Sequence, residues 1–463
     1  MGLLTVAAML PIEWELRLVD ENVSPLSDED ILWADYVFIS AMAIQKETSR
    51  NIIQRCHQLG RKVVAGGPFF TANQTDFQDI DHLVLNEAEI TLPKFLKDLE
   101  RGQAKPVYRS EQWADMSTTP LPRWDLIKLK HYAMMCVQYS RGCPFDCDFC
   151  DITVLYGRKP RTKPVTNVIQ ELDTLYNCGW RGGVFFVDDN FIGNKKLLKE
   201  ELLPELIRWV KRKHYPFSFL TQASINLAED DQLVQLMVEA SFSTVFVGIE
   251  TPDVDSLLEC GKLHNTRSDL LADVKKLHSA GLQVHAGFIV GFDSDKMDIF
   301  PRISRFINES GIVASMVGLL NAPRGTKLYK RLVMENRLLE GISGDNTDSS
   351  MNFLPKMDMK TLLEGYKKII SDIYNPEAYY KRVKLFLSNF KAPSQYKNFI
   401  SLAHLRGFFM SFFKLGFKRG VRKHFWKLMI WTAFRRPRLI PHAITMAIYG
   451  AHFSRHFANV LDG

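Results

Sequence analysis

Three cysteines of one short segment, Cys143, Cys147 and Cys150, have the spacing CxxxCxxC and follow directly after a predicted strand. Thiolates separated by two and three residues can bind one metal centre, and they select zinc or an iron–sulfur cluster. A structural zinc site uses four protein ligands, and no obvious fourth ligand accompanies this segment. The three thiolates therefore favour a cluster with one iron open to a further ligand, and a zinc site is the alternative. The remaining cysteines are isolated in apolar or helical contexts and are predicted to be ordinary buried thiols: Cys56, Cys136, Cys178 and Cys260.

The cysteine segment reads CPFDCDFC, and this CxxxCxFC motif after the first strand of a partial barrel resembles the radical S-adenosylmethionine (SAM) superfamily. In that superfamily three thiolates bind a four-iron, four-sulfur (4Fe-4S) cluster, and the amino and carboxylate groups of SAM chelate the remaining iron. The reduced cluster cleaves SAM into methionine and a 5′-deoxyadenosyl radical, so that the cofactor carries the difficult chemistry. The resemblance implies that Cys143, Cys147 and Cys150 hold the cluster. It also implies that Phe149 packs beside the adenine of SAM.

Polar residues at the ends of the second and third predicted barrel strands are candidates for binding SAM. Asp189 and Asn190 follow the second strand, where many members of the superfamily have a Gly-Gly-Glu motif that accepts hydrogen bonds from the SAM ammonium group. The alternative is a solvated turn in which Asn190 caps a helix. Gln222 follows the third strand, and the resemblance implies that it contacts the SAM carboxylate or ribose. A simple strand end is the alternative there.

The fourth and fifth predicted strands carry further residues that the resemblance assigns to SAM. Glu250 ends the fourth strand in the sequence GIET, and a carboxylate at the mouth of such a barrel can hold a ribose hydroxyl or an ammonium group. Pairing with a nearby lysine is the alternative for Glu250. On the fifth strand, Gly287, Ile289 and Gly291 resemble the adenine-binding strand of the superfamily. Glycine inside a strand usually marks the close approach of a backbone or a ligand.

Alternating strands and helices between residues 131 and 355 position these side chains. Six βα units are too few for a closed eight-stranded barrel and predict an open, partial (β/α)6 barrel. Functional groups of parallel βα folds lie at the carboxyl ends of the strands, which is where the motifs fall. The predicted strands are Met134–Gln138, Gly183–Val187, Ser218–Gln222, Thr244–Ile249, Gln283–Val290 and Val313–Leu320. Helices are predicted at Val165–Asn177, Leu197–Arg212 and Asp230–Glu239.

Residues 1–101 also alternate between strand-like and helix-like runs, which predicts a Rossmann-like α/β layer. The predicted strands are Trp14–Val19, Asp35–Met42, Lys62–Ala65 and His82–Leu85. A unit of this kind opens with a strand, whereas this chain begins with an apolar, helix-like segment, so the layer is expected to lack its first strand. Residues 102–130 contain few apolar runs and are predicted to be a linker.

The N-terminal layer resembles the cobalamin-binding domain that precedes the barrel in one large branch of radical SAM proteins. Small residues at strand ends let a corrin and its nucleotide tail lie against the carboxyl edge of a sheet. Ser40, Gly66 and Gly67 are the candidates for binding this tail. The chain has no Asp-x-His-x-x-Gly motif, so no histidine is offered as a lower cobalt ligand. The alternative is a degenerate domain that binds nothing.

The composition is that of an ordinary globular chain, and only its charge distribution is unusual. Of 463 residues, 46% are hydrophobic and 24% are charged, which excludes disorder, collagen-like repeats and coiled coil. Seven cysteines do not make a disulfide scaffold, and the first residues lack the basic start of a secretory signal, so a reducing cytoplasm is predicted. Residues 401–463 contain eleven Lys or Arg and one acid, whereas the whole chain has a net charge of only +7.

Residues 356–463 are predicted to be helical, and from residue 401 onward they combine basic with aromatic side chains. The longest charge-free run, Leu439–Ser454, has 16 residues, fewer than the ~20 apolar residues of a membrane-spanning helix. Basic helices with Trp and Phe are instead typical of the bilayer interface, so residues 401–463 are predicted to make peripheral membrane contact. Nucleic-acid binding is not favoured over this interpretation, and a plain helical cap on the barrel is the further alternative.

The arrangement of layer, barrel and basic helical tail resembles the hopanoid C-2 methylase-like group, which methylates a membrane lipid. The resemblance implies a cobalamin-dependent radical SAM methyltransferase that acts on an unactivated carbon of a lipid-like substrate. Such an enzyme needs a reducing electron donor, and we expect it in the cytoplasm, peripheral to the inner face of the membrane. One alternative is a radical SAM enzyme that catalyses a rearrangement, cyclisation or oxidation without methyl transfer. The other is a membrane-peripheral zinc-binding scaffold.

Overall fold

The computed structural model describes residues 1–339, 341, 344–345, 348–393, 409–410 and 412–457. Within them the chain forms a four-stranded parallel sheet, then a six-stranded parallel sheet, and then a set of helices that packs on the second sheet's outer helices. The predicted α/β architecture with a helical C-terminal region is therefore confirmed for the described part of the chain.

The N-terminal sheet has the strand order β1-β2-β3-β4, and all of its strands are parallel. Its strands are β1 (Tyr36–Ser40), β2 (Lys62–Gly66), β3 (His82–Val84) and β4 (Val107–Tyr108). The helices of this layer are α1 (Gly2–Ala7), α2 (Asp28–Trp33), α3 (Lys46–Gln58), α4 (Pro68–Ala72) and α5 (Ala88–Glu100). The strand β4 falls within the segment that the sequence predicts to be a linker, and it extends the sheet beyond β3.

The predicted strand Trp14–Val19 is wrong, because the structure has no strand at these residues. Its alternating pattern arises from a surface segment in which every second side chain is exposed. Arg17 points outward, where it binds Asp30 at 2.8 Å and lies over the Trp33 ring at 4.4 Å. An alternating pattern alone does not make a strand, since a strand also needs a neighbour that completes its hydrogen-bond ladder.

The second sheet has the order β12-β11-β10-β9-β8-β5, so that each βα unit adds its strand beside the preceding one. Its strands are β5 (Met134–Val137), β8 (Gly182–Phe186), β9 (Phe217–Gln222), β10 (Phe242–Glu250), β11 (Gln283–Val290) and β12 (Ser315–Leu319). A short antiparallel pair, β6 (Ser140–Arg141) and β7 (Arg161–Thr162), flanks the cysteine segment. All six predicted barrel strands are present, and the sheet is the predicted open, partial barrel.

Helices separate the barrel strands. They are α6 (Ile152–Tyr156), α7 (Val165–Asn177), α8 (Lys195–Leu197), α9 (Leu203–Arg212), α10 (Asp231–Glu239), α11 (Val254–Glu259), α12 (Leu270–Ala280), α13 (Ile299–Ser310) and α14 (Lys327–Met334). The single helix predicted at Leu197–Arg212 is interrupted by a π-helical turn at Leu198–Leu202. Pro204 stands in the first turn of α9 and has no backbone N–H to donate to the preceding turn. The wider π turn accommodates this missing hydrogen bond, and the helix continues in the same direction.

A cluster of phenylalanine rings fills the barrel beneath the carboxyl end of β8. Phe186 lies 5.3 Å from Phe191, 5.3 Å from Phe219 and 5.4 Å from Phe242, measured between ring centroids. All four side chains are buried. Tilted and edge-on ring pairs at these distances stabilise a core by more than the burial of their apolar surface alone. The segment that follows β8 is therefore anchored to a well-packed part of the core.

The C-terminal helices are α15 (Met359–Tyr374), α16 (Pro376–Asn389), α17 (Arg422–Arg435) and α18 (Ile440–His456). Asn375 caps α16 by accepting a hydrogen bond from Ala378 N at 2.9 Å, and Pro376 occupies its first turn. Among the described residues, no helix combines the length and apolar character that crossing a bilayer requires. Parts of the predicted membrane-contact region, residues 401–408, 411 and 458–463, lie outside the described residues.

Candidate functional site

Two adjacent carboxylates after β8 hold the backbone that leads into the cysteine loop, residues 143–150. Asp188 accepts hydrogen bonds from Tyr139 N at 3.1 Å, from Ser140 N, and from Ser140 Oγ at 2.5 Å. Asp189 accepts from Gly142 N at 2.8 Å. Gly142 has a φ of +95°, and a Cβ there would lie 3.0 Å from the carbonyl oxygen of Gly157. The turn that precedes Cys143 is therefore held by the carboxylates of Asp188 and Asp189, and its backbone conformation at position 142 favours glycine.

Burial is the main influence on the charge of these two carboxylates. It raises the pKa of Asp188 to about 7 and the pKa of Asp189 to about 6, while hydrogen bonds from the cysteine-loop entrance act in the opposite direction. Near neutral pH, ionisation of both groups therefore depends on the N–H donors that they hold. Asp188 was part of the sequence motif but was not predicted as a site residue. Asp188 is fully buried and accepts backbone hydrogen bonds, which indicates a structural role.

The three cysteines of the loop have the chemistry that a cluster requires. Their side chains are half-buried, and burial raises the pKa of Cys147 to about 11 and that of Cys150 to about 12. Asn190 Nδ2 donates to Cys143 Sγ at 3.8 Å, the kind of N–H···S contact that tunes iron–sulfur centres. Three soft donors on one loop match the ligand set of a 4Fe-4S cluster, in which each thiolate binds a different iron, rather than that of a single metal ion. In the described residues, no three His, Cys, Asp or Glu side chains gather around the position of one metal ion.

The four other cysteines differ in their surroundings. Cys56 and Cys260 are buried and Cys136 is half-buried, whereas Cys178 is exposed, so its predicted burial is wrong. Cys178 caps the carboxyl end of α7, where the apolar face of the helix has already ended. The carbonyl oxygen of Cys260 accepts a hydrogen bond from Asp148 N at 2.9 Å. This places the segment around Cys260 directly against the cysteine loop.

Asn190 connects the ends of β8 and β9. Its Nδ2 donates to Ser224 Oγ at 3.2 Å, and its Oδ1 accepts from Ser224 N at 3.3 Å. Asn190 occupies the N-cap position of a short 3-10 helix, but its side chain makes no capping hydrogen bond there. Gln222, the residue predicted in this segment, has an exposed side chain, and Ser224 two positions later is the residue brought to Asn190. The motif Gln222-Ala223-Ser224 was predicted to present a side chain here, with Gln222 as the candidate, and Ser224 is the member of the motif that makes the contact.

Aromatic and aliphatic side chains line the next part of the site. Phe149 and Ile289 are half-buried against one apolar cluster that also contains Phe292, and the Phe149 and Phe292 ring centroids lie 6.2 Å apart. Gly291 has a φ of +104°, and its N–H donates to Asp295 Oδ2 at 2.8 Å. The structure thus brings Phe149 of the cysteine loop to the strand that carries Ile289.

Gly287 lies further back on the same strand, β11. A Cβ there would lie 3.4 Å from the Phe246 ring of the neighbouring strand β10. This is an ordinary van der Waals distance, so packing between the two strands does not by itself require glycine at this position.

Glu250 forms a buried ion pair with Lys262, so the lysine pairing considered as an alternative is the contact present in the structure. Glu250 also has a left-handed backbone, with φ of +64°. Lys262 was missed from the sequence, since it stands in a turn twelve residues beyond its partner. On the other side of the same turn, the His264 ring stacks on Phe145 of the cysteine loop at 3.7 Å.

Ser40, Gly66 and Gly67 lie together at the carboxyl ends of β1 and β2, as the parallel pairing of these strands requires. They line a cavity of about 1550 Å³ between the N-terminal sheet and the barrel. This volume exceeds the ~300–1,000 Å³ of ordinary small-molecule pockets. Asp151, the neighbour of Cys150, lines the same cavity from the barrel side. The cavity is large enough for a macrocycle, and on the sheet side Ser40, Gly66 and Gly67 line it beside larger residues such as Phe38 and Met42.

A buried ion network joins the two layers beside this cavity. Arg141, two residues before Cys143, binds Glu87 at 2.9 Å and Glu89 at 2.8 Å. Arg161 binds Glu87 at 3.0 Å from β7. Both glutamates belong to the start of α5 in the N-terminal layer, so the entrance to the cysteine loop is fastened directly to that layer.

Two family models match the chain. The radical SAM superfamily model matches residues 137–307, and a domain of unknown function (DUF4070) matches residues 326–463. The first match contains the cysteine loop and five of the six barrel-strand ends described above. The second begins with α14 and contains the C-terminal helices.

Sequence similarity to characterised and uncharacterised methylases extends over most of the chain. The chain is 42% identical over 464 residues to an uncharacterized methyltransferase, sll1242, of Synechocystis sp., a match that covers 98% of this chain and 86% of that protein. It is 38% identical over 385 residues to the hopanoid C-2 methylase of Rhodopseudomonas palustris, covering 82% of this chain and 72% of that protein.

A solved structure shares the overall fold. The radical SAM methyltransferase TsrM from Kitasatospora setae, solved with cobalamin and a 4Fe-4S cluster bound, superposes with a TM-score of 0.58. The sequence identity is 14%, and the match covers 88% of this chain and 90% of that chain. The likeness therefore extends from the N-terminal sheet into the C-terminal helices.

Proposed function

The chain belongs to the family of radical SAM methyltransferases that includes the hopanoid C-2 methylase, and we propose that it methylates an unactivated carbon of a lipid-like, hopanoid-type substrate with cobalamin as methyl carrier. Enzymes of this family use a 4Fe-4S cluster and SAM. One observation carries the proposal for methyl transfer. Asp151, which directly follows the cysteine loop, lines the same cavity as Ser40, Gly66 and Gly67 of the N-terminal layer. A radical centre and a methyl carrier could thus face one substrate.

In this proposal, Cys143, Cys147 and Cys150 bind the cluster. Bound there, the cluster supplies the single electron that cleaves SAM. The chain's own residues hold the loop: Asp188 and Asp189 accept its backbone N–H groups, and Asn190 Nδ2 donates to Cys143 Sγ. These contacts fix the direction in which the thiols point, and a thiol that is already oriented loses little entropy when it becomes a ligand.

SAM is proposed to lie along the carboxyl ends of the barrel strands. Phe149 and Ile289 offer an apolar surface for the adenine, and Gly291 beside them keeps the strand end free of a side chain. Asn190 and Glu250 offer acceptors for the ammonium or ribose groups, and Asn190 is already oriented by Ser224. These residues come from the cysteine loop and from the ends of β8, β10 and β11, so a ligand that spans them is held in one orientation.

The N-terminal layer is proposed to bind cobalamin along the edge formed by Ser40, Gly66 and Gly67. Bound there, cobalamin carries the methyl group that the substrate radical receives. The small side chains at this edge leave room for a flat macrocycle, and the cavity volume of about 1550 Å³ leaves room for a substrate beside it. The role of the protein is to exclude water and to hold the two partners at a fixed separation.

A hopanoid-type substrate would be presented at a membrane, and the basic C-terminal region is proposed to contact the inner, cytoplasmic face of the bilayer. Phe413, Phe417 and Phe434 are exposed by 63%, 65% and 84%. Residues 409–457 contain ten Lys or Arg and no acid. Exposed aromatic rings among basic side chains favour the interface of an anionic bilayer.

The methyl-transfer proposal is tested with the anaerobically reconstituted full chain, SAM labelled at its methyl group, cobalamin, dithionite and a hopanoid lipid. We expect label in the product and reductant-dependent 5′-deoxyadenosine, with both abolished in Cys147→Ala. Formation of 5′-deoxyadenosine without label in any product would favour the rearrangement, cyclisation or oxidation alternative. Zinc in place of iron and sulfide after reconstitution would favour the scaffold alternative.

Vesicle flotation tests the membrane contact independently of activity. The full chain should float with vesicles of phosphatidylcholine and phosphatidylglycerol and not with phosphatidylcholine alone. Phe417→Ser with Phe434→Ser should reduce flotation several-fold. Met334→Ser is the matched control, because Met334 is 77% exposed but lies on α14. Equal flotation of all variants would contradict the proposed contact.

A further inference from the structure

A buried ion pair of Glu250 and Lys262 stands between the end of β10 and the cysteine loop. Each side chain is only about one-tenth exposed. Taking two charges out of water is unfavourable unless each compensates the other. The position of such a pair therefore calls for an explanation beyond packing.

The backbone around the pair is arranged to admit it. Glu250 is held with a φ of +64°, a conformation that is uncommon for a residue with a Cβ. A Cβ on Gly248 would lie 2.6 Å from Lys262 Nζ, so a larger residue there would displace the ammonium group from its present position. Asn265 Nδ2 donates to the carbonyl oxygens of Gly248 at 3.1 Å and of Ile249 at 3.0 Å, which fixes this strand end. Residues held in strained backbone conformations cluster at functional sites.

The turn that carries Lys262 packs directly against the cysteine loop. Asp148 N donates to the carbonyl oxygen of Cys260 at 2.9 Å. The Phe145 and His264 rings stack at 3.7 Å with an angle of 18° between their planes. Contacts on both sides of Lys262 thus hold its ammonium group beside the loop.

The two charges of the pair act on Cys147 in opposite directions. Gly261, the residue before Lys262, is in contact with the cysteine loop, since a Cβ there would lie 3.2 Å from the Asp146 carbonyl oxygen and 4.0 Å from Cys147 Cα. Charges of opposite sign held this close to the loop have opposite electrostatic effects on it. An added negative charge at Cys147 is therefore stabilised by Lys262 and opposed by Glu250. In a buried site, such effects are only weakly screened by water or salt.

We propose that Lys262 and Glu250 are positioning residues that set the reduction potential of the cluster bound by the cysteine loop, with Lys262 raising it and Glu250 lowering it. The inference rests on the proposed cluster site. Reduction adds one electron, taken from an external one-electron reductant, and so adds one negative charge to the cluster. A fixed cation near Cys147 stabilises that charge, and a fixed carboxylate destabilises it. The pair as a whole keeps the local net charge near zero, so replacing either residue alone leaves the charge of its partner uncompensated.

The test is a dithionite titration of the reconstituted full chain without SAM, followed by electron paramagnetic resonance. Lys262→Met should shift the midpoint potential to a more negative value, Lys262→Arg should leave it close to that of the wild type, and Glu250→Gln should shift it to a more positive value. The double variant, Lys262→Met with Glu250→Gln, should fall between the two single variants. Lys199→Met is the control, because this lysine pairs with Asp230 at 2.9 Å among the outer helices and should leave the potential unchanged.

Opposite shifts in the two single variants are required. Shifts of the same sign would indicate a general disturbance of the loop and would overturn the proposal, as would no shift at equal iron content. If Lys262→Met does not fold or load iron, Glu250→Gln and Lys262→Arg still decide, since a merely structural role predicts no positive shift for Glu250→Gln. A wild-type chain that binds no iron and sulfide would overturn the proposed function together with this inference. A loaded, active wild type with unshifted variants would overturn the inference alone.

Discussion

At position 67 the backbone and the neighbouring strand both require a residue without a Cβ. Gly67 has a φ of +94°, and a Cβ there would lie 2.9 Å from Ser40 Oγ on β1. At Gly66 the corresponding atom would lie 2.4 Å from the carbonyl oxygen of Val84. The edge proposed to bind cobalamin has glycine at positions 66 and 67 because the strands β1, β2 and β3 come so close together there that no side chain fits.

Gly67→Ala should lower both stability and cobalamin binding. With φ of +94° and ψ of −179°, position 67 lies in a backbone region that is essentially restricted to glycine, which should cost an alanine about 1–3 kcal/mol. The contact with Ser40 Oγ should add about 1 kcal/mol or more. Gly179→Ala is the matched control, since Gly179 has a φ of +90° and a Cβ added there would have no heavy atom within 4 Å. Urea unfolding and retained corrin absorbance measure the two effects. Equal losses in both variants would contradict the steric argument.

The site residues differ in how well their functional roles could be predicted from the sequence around them. Asn190 could be predicted because it follows a buried strand, and the structure brings it to Cys143. Ser224 and Lys262 could not, because their roles depend on which other strand ends lie beside them. A serine two residues from Gln222, or a lysine in a turn, has no pattern that distinguishes it from solvated residues.

Among the secondary-structure elements, those whose hydrophobic periodicity matches the face that they bury were predicted best. The strand β11 and the helix α7 have the predicted bounds, Gln283–Val290 and Val165–Asn177. The errors occur where local pattern and tertiary context conflict. Trp14–Val19 alternates without a neighbouring strand, and the helix predicted from Leu197 is interrupted by a π turn before Pro204. Hydrogen-bond partners across the fold, which decide both cases, cannot be deduced from one segment.

The interface between α12 and α16 contains a histidine that is fully buried and apolar in its surroundings. His278 contacts the Phe386 ring edge-on at 4.9 Å, and within the described residues neither of its ring nitrogens has a hydrogen-bond partner. Burial lowers the pKa of His278 to about 3, and nearby His285 adds to the effect. Burial likewise lowers the pKa of His285 to about 4. Both side chains are therefore neutral in the folded protein.

Acid should weaken this interface. Below its ordinary pKa of about 6.5, His278 takes up a proton in the unfolded chain but not in the folded one, so stability falls between pH 6.5 and about pH 3. The loss is at most about 1.4 kcal/mol for each pH unit. His278→Phe keeps the ring and removes the proton site, so its stability should fall less than that of the wild type over this range. Urea unfolding at pH 7, 6, 5 and 4 measures the difference, and parallel curves would contradict the assignment.

On the scale of the whole molecule, buried charges join the two layers beside the cysteine loop. Arg141 binds Glu87 and Glu89 of the N-terminal layer, and it stands two residues before Cys143. A second connection on the wall of the same cavity is the ion pair of Arg324, after β12, with Asp76 of the N-terminal layer at 2.7 Å. A methyl carrier and a radical source that serve one substrate need a fixed separation, since a small misplacement of reacting groups lowers the rate greatly.

Arg141→Met should loosen this connection more than any other single change at the boundary. It leaves Glu89 without a cation and Glu87 with Arg161 alone, and breaking a buried pair costs about 3–5 kcal/mol. Arg161→Met should cost less, because Glu87 keeps Arg141. Arg123→Met is the surface control, since its pair with Asp125 is exposed and pairs of that kind contribute about 0–1 kcal/mol. In Arg141→Met, hydrogen exchange should rise in α5 and in the cysteine-loop entrance together, because one guanidinium holds both segments. Exchange that rises in only one of the two segments would show that Arg141 does not couple them.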